Sequence, residues 1–480
     1  MRRSGVLMHV SSLPGAYSIG SLGEPARLFV DKISEAGFSL WQILPLSMTD
    51  SVGSPYKSPA SFGANPYLID LPSLYEEGLL TAEELRRAEH NDGGRVNFSL
   101  LEAERIPLLR LAAERVVDRS EIIAYVEARA ELSRAAYFLA LKSANGGAPW
   151  QEWSEHVCEI DELFFWQFVQ YKFYTQWAVL REYASSRGIS IIGDLPIYVA
   201  EDSADVWAEP EQFLLDEKGY PTEVSGVPPD RFAAEGQLWG NPLYNWDKMK
   251  EDGYAWWRRR IEHAFTMYDG VRIDHFRAIE AYWSVPARAK SAKEGEWLPG
   301  PGKALIDAIN AASGGGLVIA EDLGSITDGV RALVDYSGYP GMRVLEFGFP
   351  SDSASPHLPH NYPTHCIAYT GTHDNNTLVG YLDELDPATR VEFYSYFGAA
   401  DHGEPSTGSA AFAAIRALFA STAETVIIPV QDVYLKDATA RMNIPGTPEG
   451  NWGYRLAANE LEELPVERYR QLNSLYHRLG

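Results

Sequence analysis

Cysteine is nearly absent from this chain of 480 residues: Cys158 and Cys366 are the two it has. No disulfide framework holds the fold, and the expected compartment is a reducing cytosol. No Cys/His cluster has the spacing of a structural zinc site. Long apolar runs are missing as well. Nothing approaches the roughly 20 apolar residues of a membrane-crossing helix. The opening MRRSGVLMHVSSLPG has a basic start but only about four apolar residues in a row, too few for the core of a secretory signal. Positive charge is scarce: Lys and Arg total 41 against 66 Asp and Glu, a formal net charge of −25. That balance argues against a nucleic-acid or membrane partner, because binding phosphate-rich surfaces needs a basic stripe. Internal repeats, low-complexity tracts and flexible linkers do not occur either, so the chain reads as one decorated unit.

What is present is ordinary globular composition, 45% hydrophobic and 22% charged, with an uncommon aromatic share of 12%. The rings fit a large core, and they also fit stacking on a flat, hydroxyl-rich ligand; composition leaves both open. Short apolar runs alternate with helical stretches, the mark of parallel strands. They fall at 6–9 (VLMH), 40–44 (LWQIL), 190–194 (SIIGD), 271–274 (VRID), 317–320 (LVIA), 342–345 (MRVL), 366–370 (CIAYT) and 426–428 (VII). Eight is the closing number for a (β/α)8 TIM barrel, and several runs lead into polar residues, as at the catalytic end of such a barrel.

The spacing between runs is uneven, so the expected architecture is a single α/β barrel over 1–480 with large insertions. A helical subdomain is expected at about 47–160, between strands two and three. An excursion rich in Pro, Gly and Trp is expected at about 196–269, between strands three and four. A smaller helical insertion is expected at about 386–422. Thr81 with Glu84, and Ser99 with Glu102, match the capping box. Residues 161–187 read as one long helix. Trp256 and Trp257 read as helix packing, Met8 and Met342 as core, His9 as a core histidine and Glu346 as a structural acid.

Three acids follow strand runs. In 271–277 (VRIDHFR), residues i and i+2 share a face, so Arg272 sits beside Asp274. A guanidinium lowers a neighbouring carboxyl's pKa and orients it. Such a carboxylate suits a nucleophile, and equally a structural ion pair. In 319–324 (IAEDLG), Glu321 emerges from an apolar strand, where a raised pKa suits a general acid. Asp322 competes with it, and either could cap a helix. In 369–377 (YTGTHDNNT), His373 and Asp374 follow the seventh strand, in a stretch that a polar turn would explain only in part. Two carboxyls flanking one bond, with a third acid beside them, is the layout of glycoside chemistry.

At these residues the chain resembles the 4-α-glucanotransferases, also called amylomaltases or disproportionating enzymes, glycoside hydrolase family 77 of the α-amylase clan. The resemblance runs through 7–14 (LMHVSSLP), 54–56 (SPY), 193–199 (GDLPIYV) and 226–246 (GVPPDRFAAEGQLWGNPLYNW). It continues through 272–277 (RIDHFR), 321–324 (EDLG), 370–377 (TGTHDNNT) and 441–447 (RMNIPGT). It implies Asp274 as nucleophile, Glu321 as acid/base and Asp374 as transition-state stabiliser. It implies that Arg272, His275 and His373 line the −1 subsite with Asp194 close by, and that Ser54 and Tyr56 lie in the glucan groove. It implies Phe232, Gln237 and Trp239 in a loop over the site, and Asn443 near the donor sugars. No metal or organic cofactor is implied. The implied ligands are α-1,4-glucans and glucose, used by a retaining transferase; an α-glucan hydrolase on the same scaffold, or a non-catalytic glucan-binding protein, are the alternatives. Arg231 stands where many relatives carry an aromatic. The sequence bears no sign of oligomeric state.

Overall fold

The computed structural model describes residues 2–90, 94–229, 234–399, 406–447 and 449–480. Its strands, in chain order, are β1 Arg3–Leu7, β2 Leu40–Gln42, β3 Ser190–Leu195, β4 Glu223–Val227, β5 Gln237–Pro242, β6 Gly270–Ile273, β7 Ala281–Pro286, β8 Glu296–Pro299, β9 Leu317–Ala320, β10 Gly341–Val344, β11 Cys366–Tyr369 and β12 Thr425–Pro429.

Eight of them close a parallel barrel in the order β1-β12-β11-β10-β9-β6-β3-β2. Every apolar run singled out in the sequence contributes one of these strands. The reason is physical: a barrel strand is covered on both faces, so it reads as a short continuous apolar run. Val6, Trp41, Ile191, Val271, Ile319, Met342, Ala368 and Ile427 are all fully buried. Helices pack around the strands. The longest, Ile160–Ser186, precedes β3 and runs 27 residues, as the periodicity of 161–187 predicts. Between β10 and β11 the described residues form only short 3₁₀ turns at Leu345–Gly348 and Pro359–Asn361.

Residues 47–160 are mostly helical, with helices at Leu71–Glu76, Ala82–Arg87, Ile106–Glu114, Ser120–Glu127 and Ala130–Ala144. The capping box at Thr81 forms, with reciprocal bonds to Glu84 of 2.8 and 3.2 Å. The one expected at Ser99 does not. Asn97 accepts from the Leu100 N–H at 3.1 Å, so the cap lies two residues earlier and Ser99 falls inside the first turn. Asn caps as well as Ser, and its position gives the helix its earlier start. Residues 386–422 hold helices Pro387–Tyr396 and Thr407–Ala420.

A second sheet, antiparallel and ordered β5-β4-β7-β8, is built from two separate excursions. Strands β4 and β5 leave after β3, and β7 and β8 after β6. Its own small core is Val224, Val285, Ala289 and Ala292, with Trp283 against them. Trp256 and Trp257, on the helix Ala255–Met267, are buried packing.

Candidate active site

The C-terminal ends of β3, β6, β9 and β11 bring the polar residues together. The ladder continues one residue past β6: the Asp274 N–H donates to the Leu195 carbonyl at 3.0 Å, and the Glu321 N–H to the Ile273 carbonyl at 3.1 Å. Asp274 and Glu321 therefore leave neighbouring strands at the same level. Arg272, two residues before Asp274, points the same way. Its Nη1 donates to both Asp194 oxygens at 2.8 and 2.7 Å, and its Nη2 to Asp274 Oδ1 at 2.8 Å. The Arg272 and Asp194 side chains are 4% and 0% exposed, while that of Asp274 is 29% exposed. One buried guanidinium thus serves two carboxylates, and the second faces the opening. Asp194 Oδ2 also accepts from the Tyr56 hydroxyl at 2.7 Å. Burial pushes the Asp194 carboxyl up, and Arg272 pulls it back.

Glu321 is buried at the end of β9. Burial lifts its carboxyl well above the usual range, against the pull of Arg272 and with help from the charges of Asp274 and Asp322. Its Oε1 accepts from the Leu323 N–H at 3.2 Å, and its backbone carbonyl accepts from the Phe276 N–H at 3.2 Å. Asp322, the competing acid, is turned away. It accepts from the Met342 N–H at 2.6 Å and from Arg343 at 3.1 Å, bracing the start of β10.

Asp374 sits in the turn after β11, with its side chain 45% exposed. Asn443 Nδ2 donates to its Oδ1 at 2.6 Å, and Arg441 donates to its backbone carbonyl at 2.8 Å. His373 lies 3.4 Å from the same Oδ1 and stacks on Tyr56, ring centres 5.2 Å apart. The charges of Asp194, Asp274 and Asp374 all act on the Tyr56 phenol, which burial already pushes well up. Of these acids Asp194 bonds the phenol directly. Burial takes His275 down to about 4 and His9, behind His373, down to about 3; both rings are neutral near pH 7.

Gln237 and Trp239 share one face of β5. Trp239 is partly buried: its indole N–H donates to Gln237 at 3.2 Å and its ring meets His275 at 4.8 Å. Ser54 stands back from the acids. Its N–H donates to Asp50 at 2.8 Å and its hydroxyl accepts from the Tyr56 N–H at 3.3 Å, shaping the turn that delivers Tyr56. Phe232 and Arg231 lie outside the described residues. Two contributors were not singled out in the sequence. Arg441 ties Asp374 to Asn443, whose carbonyl it also binds at 2.8 Å. Trp452 closes an aromatic corner, 5.7 Å from Tyr56 and 5.9 Å from His373. A tryptophan between Gly450 and Gly453, just past the 441–447 motif, was the signal available for it.

Acidic side chains gathered around one arginine at the C-terminal ends of parallel barrel strands, lined by rings, define an enzyme of the carbohydrate-active barrel class. The family described as 4-alpha-glucanotransferase, glycoside hydrolase family 77, matches residues 8–460. The 4-alpha-glucanotransferase DPE1, chloroplastic/amyloplastic, of Arabidopsis thaliana is 42% identical over 100% of this chain and 86% of its own length. The 4-alpha-glucanotransferase of Thermus thermophilus is 42% identical over 100% of this chain and 99% of its own. Among solved structures, the amylomaltase from Streptococcus agalactiae in complex with acarbose superposes with a TM-score of 0.94 at 36% identity, covering 100% of both chains. The chain belongs to this family and is a 4-alpha-glucanotransferase. Among the described residues no helix is long and apolar enough to cross a membrane.

Proposed function

We propose that this chain transfers a segment of an α-1,4-glucan to the 4-hydroxyl of another glucan or of glucose by a retaining double displacement. Glu321 gives its proton to the glycosidic oxygen while the Asp274 carboxylate attacks the anomeric carbon. The leaving glucan departs with that proton, and the remaining segment becomes an ester of Asp274. Glu321 then takes the proton of an acceptor 4-hydroxyl, whose oxygen displaces Asp274. Two inversions leave the α configuration intact. Asp374 binds sugar hydroxyls as positive charge develops at the anomeric carbon. Arg272 and Asp194 fix the nucleophile, and His275 and His373 line the same −1 sugar with Asn443 beside the donor. Tyr56, delivered by the Ser54 turn, belongs to the groove, and Gln237 and Trp239, together with Phe232, to the cover that excludes water. The reducing cytosol is the compartment this reading assigns.

The observation that carries the reading is the contrast between neighbouring strand ends: a carboxyl lifted by burial at Glu321, and a carboxylate bound by Arg272 at Asp274. Incubation with maltotriose tests it. Glucose together with glucans longer than maltotriose is the expected product set. Shortening alone would favour the hydrolase reading, and no change at all the binding-protein reading.

A further inference from the structure

The turn that carries His373 and Asp374 begins right after β11 and ends where the helix Leu378–Glu384 starts. Its interior is tied locally. Asn375 Oδ1 accepts from both the N–H and the hydroxyl of Thr372 at 2.9 Å, and the Thr372 hydroxyl in turn accepts from the Asp374 N–H at 3.3 Å. These bonds give the turn its shape, and Arg441 and Asn443 hold Asp374 from the side; none of them fixes the ends of the turn.

The anchor of the two ends of the turn is Asp432. It sits on the short helix Val430–Val433 that follows β12, and it is 1% exposed. One carboxylate oxygen accepts from the Thr370 hydroxyl, at the residue that enters the turn. The other accepts from the Leu378 N–H at 2.7 Å, at the residue that leaves it. A single buried side chain therefore grips both ends. Beneath the turn lies Glu346, buried at the end of β10. Its N–H donates to the Thr370 carbonyl at 3.2 Å, and a Cβ on Gly371 would stand 2.8 Å from its Oε1, so a side chain at 371 would displace Glu346. Desolvation, with each other's proximity as a further push on Glu346, raises both carboxyls, Asp432 to about 6. A side chain that stays buried at that cost is held by geometry that the fold requires.

We propose that Asp432 is a positioning residue for the reaction: by clamping both ends of the 371–377 turn it sets where Asp374 stands at the barrel mouth, without touching the glucan. This rests on the reading of Asp374 as the group that stabilises the transition state. Displacement of a reacting group by about 1 Å costs up to about 100-fold in rate, so the clamp acts on kcat.

A double-mutant cycle on maltotriose tests it, with kcat and KM measured for wild type, Asp432→Ala, Asp374→Ala and the double variant. Asp432→Ala is expected to lower kcat about 10- to 100-fold with KM nearly unchanged, and to lower it no further once Asp374 is gone. The same fold-loss in both backgrounds would overturn the clamp, because a general structural role acts whether or not Asp374 is present. Loss in Asp374→Ala with wild-type kcat in Asp432→Ala overturns the clamp alone. Wild-type kcat in Asp374→Ala overturns the role of Asp374 and the clamp with it. If Asp432→Ala does not fold, Thr370→Val removes one grip and Thr370→Ser keeps it. A kcat loss in Thr370→Val that Thr370→Ser restores supports the clamp, and equal kcat in the two overturns it.

Discussion

At the barrel mouth the candidate site side chains stand at strand ends and in the turns beside them, and most are bonded to one another. Arg272 binds Asp194 and Asp274, Asp194 binds Tyr56, and Asn443 binds Asp374. In the sheet β5-β4-β7-β8 no ion pair joins the strands among the described residues. Ser284 bonds to Glu223, Ser225 to Asn241 and Trp239 to Gln237, over a small core of Val224, Val285, Ala289 and Ala292 with Trp283. The mouth is held by buried ion pairs, whereas the sheet is held by single hydrogen bonds and a small apolar core. Preorganised charge is what a glycosyl transition state needs. The cover role proposed for the sheet asks for the opposite, a small core that separates at low cost. On that reading, the division between chemistry and access follows this division of packing.

The largest way to break the comparison is at Asp274, the proposed nucleophile. Asp274→Asn should lower transfer from maltotriose by on the order of 10⁴- to 10⁶-fold, with the melting temperature nearly unchanged, because this side chain is the exposed member of the network. Product analysis and a thermal scan on the same sample check both halves; substantial transfer by this variant would sink the covalent route.

Arg272→Met asks how much of the mouth the guanidinium holds. It leaves Asp194 buried beside Asp274 with no cation, and breaking a buried pair from one side costs about 3–5 kcal/mol. Gln237→Ala on the sheet should cost less than about 1 kcal/mol. Urea unfolding midpoints compare the two, and equal midpoints would erase the contrast between the regions.

A third test uses pH. Burial raises Glu321, so it keeps its proton, and with it the first chemical step, above the ordinary carboxyl value of about 4.3. Activity on maltotriose should persist until pH rises through the raised value and then fall. The same shift enters stability with the same sign. The folded state holds this proton more tightly than the unfolded chain, so the contribution is present below the unfolded value and lost as pH rises through the folded one. Glu321→Gln should remove both the alkaline limb, read with a donor whose leaving group needs no proton, and that part of the pH dependence of melting. Trp239→Ala should leave the limb where it is.

The smallest effect belongs to the cover. Trp239→Ala should raise hydrolysis relative to transfer several-fold while moving stability little, because the ring is only partly buried. Were it core, the truncation would cost about 3–5 kcal/mol. Free glucose against elongated products, with a melting curve alongside, separates the two.

The eight barrel strands were legible because each is a short apolar run covered on both faces. The acids were legible because they follow those runs directly. Ring and charge neighbours were harder. Trp452 reaches Tyr56 from nearly 400 residues away in the chain, and Asp432 grips residues 54 and 62 positions away. Neither spacing leaves a local pattern. The second sheet was missed for the same reason: its pairs join two excursions separated by β6, and each strand alone is too short and too polar to announce a partner. The misplaced cap at Ser99 is a local error of a different kind, in which one motif was read where a neighbouring Asn competes for the same N–H.

His275, next to Asp274, has a φ of 50°, a left-handed backbone that costs a non-glycine residue strain. The next N–H, of Phe276, donates to the Glu321 backbone carbonyl at 3.2 Å. On the proposed mechanism the attacking group and the proton donor are therefore joined through a short stretch of backbone and one hydrogen bond. An engineer would call this a short tolerance chain: play in the rim does not accumulate in the gap where bonds are made and broken. On the proposed mechanism, loops around the mouth can lengthen, shorten or change their rings, and so retune which glucans enter, while the spacing of Asp274 and Glu321 stays where their shared backbone bonds put it.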